Sequence, residues 1–307
     1  MAQSTPVFVL GFQRSGTTGL ANMLAAHPRV AAVEAGDHGG VHESIFFSHF
    51  AKAYGDPASD ENFDRFASDF TVCDYYLLTG VDPDWLRAAW NDDRRPRTWA
   101  DVFRLLMEEV ARKKDNASFW LEKSPHHTLC TDAIRIAFPD ARFVGIERAA
   151  PANIRSWLWM DGAVPPPYPL RILKLLRLSW KWSLFNRTIR KLALHDRQAL
   201  LVRYEDFAAD PETVMRRTCE FLSLEFDPDM LTPRYKRNTS FGVDRPAPGR
   251  FEEALDRCFI FLFTALARLV PLGVLRTIQT ARERRRGLDW PAWCWKRTNA
   301  AHAPDTP

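Results

Sequence analysis

The sequence predicts an α/β fold: a parallel β-sheet of about five strands with helices on both faces. Two observations carry that expectation. Five short apolar runs, Val7–Leu10, Val30–Val33, Phe119–Leu121, Phe143–Ile146 and Leu200–Val202, are separated by helical stretches, as expected for strands buried on both faces. A glycine-bounded loop, Gly11 to Gly16, follows the first run and opens directly on a helical pattern, the strand–loop–helix order of a phosphate-binding turn.

The chain has 307 residues, 46% hydrophobic and 26% charged, which is ample for either one large α/β domain or one domain with appendages. Its net charge of +4 is too small to suggest a nucleic-acid binder. Cys73, Cys130, Cys219, Cys258 and Cys294 are odd in number and scattered, so they read as thiols in a reducing compartment. The segment Met1–Pro6 lacks the basic start of a secretory signal, and a cytoplasmic protein is the expectation.

In chain order, the first helix repeats Leu20, Met23, Leu24 and His27 at intervals of three and four, and Pro28 closes it. Residues 36–116 read as a mostly helical insertion, including Asp101–Lys113, that shapes the acceptor site. Ala163–Pro169 is a stiff turn leading into a long helix. There Leu173, Leu176, Trp180 and Leu184 are expected to form the apolar stripe, with Arg171, Lys174, Arg177 and Lys181 on a solvated face. The alternative for that basic face is a surface for anionic acceptors or lipid. Asp210-Pro211 starts another helix. Cys258–Leu275 is strongly apolar but broken by Arg268 and Pro271. It falls short of the roughly 20 residues a membrane span needs, so a core helix or peripheral membrane contact is expected.

The loop Gly11-Phe12-Gln13-Arg14-Ser15-Gly16-Thr17-Thr18 offers backbone amides and the positive end of a helix dipole to an anion. Its glycine spacing is that of the nucleotide triphosphatase loop, yet that loop carries a lysine where this chain has Thr17. The basic residue sits three positions earlier, at Arg14. Arg14-Ser15-Gly16-Thr17-Thr18, followed by Leu20 and by Ala25-Ala26-His27-Pro28, resembles the 5′-phosphosulfate loop of sulfotransferases that use 3′-phosphoadenosine 5′-phosphosulfate (PAPS). The likeness is to the bacterial and tyrosylprotein-type branch and covers roughly residues 6–245. It implies a P-loop-type sheet and transfer of a sulfuryl group from PAPS to an acceptor hydroxyl, leaving 3′-phosphoadenosine 5′-phosphate (PAP).

The resemblance extends to four further segments. A glutamate near Glu34 serves that branch as general base, a task suited to a carboxylate; Glu43, His38 and His42 are nearby alternatives. Glu122-Lys123-Ser124-Pro125-His126 resembles a stretch whose lysine lies near the sulfuryl oxygens, where an ammonium offsets shifting negative charge. Ser124 and Pro125 also suit a helix start, and His126 and His127 read as structural. Arg148 and Ser156 match the motif that clamps the 3′-phosphate, with the proline of that motif one place late at Pro151. Trp157 and Trp159, which flank Ser156, are expected to pack into the core. Tyr204-Glu205-Asp206 resembles a segment whose tyrosine approaches the nucleotide, and Lys236–Phe241 resembles the loop that closes over it.

The resemblance thus implies a sulfotransferase domain over 1–250 and a helical, apolar, Trp-rich extension over 251–307. Gly11, Arg14, Ser15, Gly16, Thr17, Thr18, Arg148, Ser156 and Tyr204 are expected to bind PAPS. Arg14, Glu34 and Lys123 are expected to do the chemistry. No metal is expected, because the migrating group carries less negative charge than a phosphoryl group. The acceptor would be a glycan, a glycolipid or a small alcohol. Two other classes stand beside this one: a P-loop kinase or NTPase binding ATP with Mg²⁺, and a non-catalytic nucleotide-binding or membrane-docking protein working through Phe251–Arg286.

Overall fold

A computed structural model describes residues 3–91, 98–159, 165–232, 234–235 and 249–298. Five strands form one parallel sheet: β1 (Thr5–Gly11), β2 (Val30–Ala32), β5 (Phe119–Lys123), β6 (Arg142–Glu147) and β7 (Ala199–Arg203), in the order β2-β5-β1-β6-β7. The central strand shows why the runs are continuously apolar. Phe8 and Leu10 enter the core on one face while Val7 and Val9 enter the core on the other, as a period of two requires. The order reverses around β1, so the crevice at the carboxyl ends of β1, β5 and β6 is where a ligand belongs.

On one face lie α1 (Thr17–Ala26), α10 (Tyr204–Ala209) and α11 (Pro211–Leu222). Asp210 caps α11 with its side chain, and Pro211 opens it. The other face is covered by the insertion, with α2 (Ala51–Ala53), α3 (Asp60–Phe70), α4 (Asp74–Thr79), α5 (Pro83–Trp90) and α6 (Trp99–Lys113). Helix α6 starts in a capping box, Thr98 accepting from the Asp101 amide while the Asp101 carboxylate accepts from Thr98. Phe46, Phe50, Phe66, Phe70 and Phe103 pack ring against ring beneath it. The remaining helices are α7 (Thr131–Ala137), α8 (Ala150–Leu158), α9 (Leu170–His195), α12 (Arg250–Leu269) and α13 (Leu272–Arg286).

The second strand ends earlier than its apolar run suggests. After Ala32 the chain leaves the sheet, and Glu34–Ala35 (β3) pairs antiparallel with Gly40–Val41 (β4). Gly39 and Gly40 take positive φ in the turn, and Asn22 of α1 grips it, donating to Gly39 O and accepting from Val41 N, both at 2.8 Å. A side chain at Gly40 would collide with Asn22. Glu34 therefore belongs to a small hairpin and not to the end of β2.

Helix α9 also differs from expectation. Its buried face is Leu175, Leu178, Trp182, Phe185 and Ile189, whereas Leu173 is exposed. Arg171, expected on a solvated face, is buried and paired with Asp256 of α12. The cause is α12, which lies along α9 in the same direction. Arg171 meets Asp256 near one end, and Arg187 donates to the carbonyls of Ala267 and Val270 at the other. Beyond α13 the tail folds back, and Trp290, Trp293, Cys294 and Trp295 pack into the aromatic core of the insertion. Lys236–Phe241, and Ala163 and Val164 of the stiff turn, lie outside the described residues.

Candidate active site

The glycine-bounded loop is held from three sides. Gly11 donates to Thr128 Oγ1 at 3.0 Å and accepts from it at 3.1 Å. Asn153 of α8 donates to Gln13 O (3.1 Å) and to Ser15 Oγ (2.8 Å). The Gln13 amide reaches His126 Nε2 at 3.1 Å. Burial pushes the His126 imidazole below its ordinary range, which keeps it neutral and able to accept there.

Within this frame Arg14 and Gly16 both take positive φ, 68° and 95°. Gly16 is the N-cap of α1, with no capping side chain and no acid in the first turn. The helix N-terminus therefore offers its amides to an anion, with Thr17 buried and Thr18 half-buried beside them. A Cβ on Gly16 would lie 2.5 Å from the Tyr204 ring, in a backbone conformation that side chains avoid. Gly16→Val is accordingly expected to displace Tyr204, open the loop and cut affinity for PAP more than about tenfold. Titration calorimetry would read it; undiminished binding would mean the loop does not hold the nucleotide.

On the β6 side the expected donor residues converge from across the chain. Arg14 Nε donates to Ser156 Oγ at 3.2 Å, and Arg148 Nη1 donates to the carbonyl of Arg14 at 3.1 Å. The Arg148 guanidinium lies 4.3 Å from the centre of the Tyr204 ring, a cation–π contact that fixes its plane. Trp182 donates to Arg148 O, and Glu205 accepts from Ala149 N. The displaced proline does no harm: Pro151 stands in the first turn of α8, where a missing N–H costs nothing. Beside Arg148 opens a cavity of about 310 Å³, lined also by Trp182, Arg190, Arg203 and Ile260. Trp157 stacks on Phe12 and Trp159 is buried, both as packing groups.

On the β5 side sits a buried polar cluster. Lys123 is only 3% exposed, and its ammonium is 2.9 Å from Glu43 Oε1. The preceding residue, Glu122, is fully buried and accepts from Ser44 N, Ser44 Oγ, Ser124 Oγ and His127 Nδ1. Since Phe47 N donates to His127 Nε2, the His127 proton lies on Nδ1, facing the carboxylate. Burial alone would raise the Glu122 carboxyl, but His127 and the two serines prevail and hold it below the usual carboxylate range. Glu122 thus anchors the start of the insertion to β5 and fixes Lys123 next door. Ser124 serves this cluster and caps no helix with its side chain.

Glu34 stands apart. Its carboxylate accepts from Tyr235 Oη at 3.1 Å, while the carboxylate beside Lys123 is that of Glu43. The structure therefore gathers Arg14, Gly16, Arg148, Ser156 and Tyr204 at one mouth, joins Lys123 to Glu43, and leaves Glu34 with Tyr235. Asn153 and Thr128 escaped sequence reasoning, because ordinary polar residues carry no pattern until the loop they hold is seen.

Such a mouth, with free amides at its centre and fixed cations to either side, suits a nucleotide whose phosphate chain carries a group to be transferred. Its class is that of nucleotide-dependent group-transfer enzymes. The sequence profile of the sulfotransferase family matches residues 6–228, and the chain belongs to that family; it is a PAPS-dependent sulfotransferase. No curated protein matches it by sequence. Solved structures show the shared fold. The sulfotransferase domain from the curacin biosynthetic pathway has a TM-score of 0.51 at 18% identity, covering 79% of this chain and 82% of that one. The sulfotransferase domain from the Synechococcus PCC 7002 olefin synthase gives 0.50 at 22%, covering 95% and 98%. A sulfotransferase from Alicyclobacillus acidocaldarius gives 0.50 at 18%, covering 90% and 100%.

Proposed function

We propose that this enzyme sulfates a hydroxyl of a glycan or glycolipid, with the α1 amides and Arg14 on the 5′-phosphosulfate and Arg148 and Ser156 on the 3′-phosphate. The observation that carries the donor reading is the chain of contacts Ser156–Arg14–Arg148–Tyr204, which forms one cationic wall beside the open N-terminus of α1. In this reading the acceptor oxygen attacks sulfur in line. The bond from sulfur to the bridging oxygen breaks, PAP leaves, and the acceptor proton passes to a carboxylate. Arg14 offsets charge on the bridge and Lys123 offsets charge on the transferring SO₃, so the protein acts mainly by placement and charge. The acceptor proposal is supported by Trp290 and Trp293, half-buried indoles beside His49 and His42, the latter next in sequence to Glu43.

Two carboxylates compete for the proton. Glu34 matches the position implied by family resemblance, but one specific observation favours Glu43: it alone contacts the Lys123 ammonium. We therefore place the proton on Glu43.

The donor reading is tested by calorimetry with PAP, with adenosine 5′-phosphosulfate and with ATP·Mg. The enzyme is expected to prefer PAP, and Arg148→Ala to weaken PAP about 10- to 100-fold while leaving the ligand without a 3′-phosphate nearly unaffected. Equal losses for both would remove Arg148 from the 3′-phosphate. A preference for ATP·Mg would point to a kinase or NTPase, against which Thr17 stands in place of the lysine.

A further inference from the structure

Helix α12 is apolar on two opposite faces. Its inner face, including Ile260, Thr264 and Ala267, is buried against α8 and α9. At about 100° per residue, Phe251, Cys258, Leu262, Leu266 and Leu269 fall within an outer arc of roughly 80°. All five are exposed, Phe251 at 80% and Leu269 at 81%. Val274 and Ile278, one turn apart on α13, are exposed as well. A helix on the outside of a water-soluble protein ordinarily turns charged residues outward, and an apolar surface this continuous marks a contact.

Charge indicates what the contact is with. Helix α9, packed against α12, carries seven lysines and arginines and no acidic residue from Leu170 to His195. Over α12 and α13, from Arg250 to Arg286, the chain has eight arginines and four acidic residues, three of the acids at the start of α12, and it ends in the exposed run Arg284, Arg285 and Arg286. Those two stretches exceed the +4 of the whole chain, so the remainder is net acidic and the excess basic charge is carried by α9, α12 and α13. Among the described residues no single helix is long and apolar enough to cross a membrane, and α12 and α13 meet at a bend of 105°. Arginine-rich α13 would not enter hydrocarbon, but it suits the headgroup layer.

We propose that the outer face of α12, with the start of α13, docks the enzyme on the surface of an anionic lipid bilayer. Leu262, Leu266 and Leu269 enter the acyl boundary, and the arginines meet anionic headgroups. This inference is independent of the acceptor's identity.

Cys258 lies on the docking face and is exposed, whereas the other four cysteines are buried, so the full chain can be labelled there with an environment-sensitive nitrobenzoxadiazole dye. Vesicles of phosphatidylcholine mixed with phosphatidylserine are expected to shift its emission to the blue, and phosphatidylcholine alone far less; high salt should weaken the effect. In co-sedimentation, Leu262→Glu with Leu269→Glu is expected to lower vesicle affinity at least about tenfold, and Arg284→Glu or Arg285→Glu roughly fivefold or more each. The thermal midpoint and PAP affinity should stay at wild-type values, which separates lost docking from lost folding. An unshifted dye, or variants that sediment like wild type, would overturn the proposal. So would self-association that buries Cys258 in the absence of lipid, which would assign the face to a second copy.

Discussion

Lys123→Ala is expected to lower the rate of sulfuryl transfer about 10²- to 10³-fold while PAP still binds within a few-fold of wild type. The asymmetry follows from position. Lys123 ends β5, on the opposite side of the loop from Arg148, and its ammonium reaches Glu43, not the cationic wall of Arg14 and Arg148. PAP lacks the sulfuryl group, so a lysine that acts on that group contributes little to PAP affinity and much to the rate. Folding should survive. The orphaned Glu43 side chain is 23% exposed and can rehydrate, unlike a carboxylate with no route to water. Transfer of labelled sulfate from PAPS across a panel of hydroxyl acceptors gives the rate, and calorimetry gives the PAP affinity. Parallel loss of both would move Lys123 into nucleotide binding. Full transfer would remove it from the reaction.

The convergence of Arg14, Arg148 and Tyr204 was legible in the sequence for a physical reason. All three follow a parallel strand: Arg14 after β1, Arg148 after β6, Tyr204 after β7. In a parallel sheet the strand ends are neighbours in space, so order along the chain predicts convergence. Even the misplaced proline left the arrangement intact, because α8 tolerates Pro151 in its first turn.

The surroundings of Lys123 were less legible because they depend on the insertion, whose path is set by tertiary contacts. The position of Glu34 is decided by Asn22, a residue of α1 with no signal of its own, which clamps the turn at Gly39 and sends the chain into a hairpin. Glu43 reaches Lys123 because Ser44 is tied to Glu122 and Ile45 N to Ser124 Oγ. These are contacts across some eighty residues, invisible to periodicity. The buried face of α9 departs from its sequence pattern for a related reason. A helix covered by α12 as well as by the sheet has no simple apolar stripe, and Arg171 can be buried once Asp256 meets it.

The same geometry makes the identity of the base a separable question. Glu43→Gln is expected to reduce transfer about 10²- to 10⁴-fold, and Glu34→Gln to leave it within a few-fold. Glutamine keeps the shape and one acceptor oxygen, so the loss reads the missing negative charge rather than a cavity. A loss at Glu43 alone would have two sources, because the same carboxylate also holds Lys123 at 2.9 Å. A double-mutant cycle separates them. If Glu43 only positions the lysine, adding Glu43→Gln to Lys123→Ala costs nothing further. If it takes the proton, the second loss persists when the lysine is gone, and formate should restore part of the activity of Glu43→Ala by supplying a carboxylate in the vacated space. The opposite ranking, with Glu34→Gln inactive and Glu43→Gln near wild type, would return the proton to Glu34. It would also require Tyr235 to release the Glu34 carboxylate when the acceptor binds.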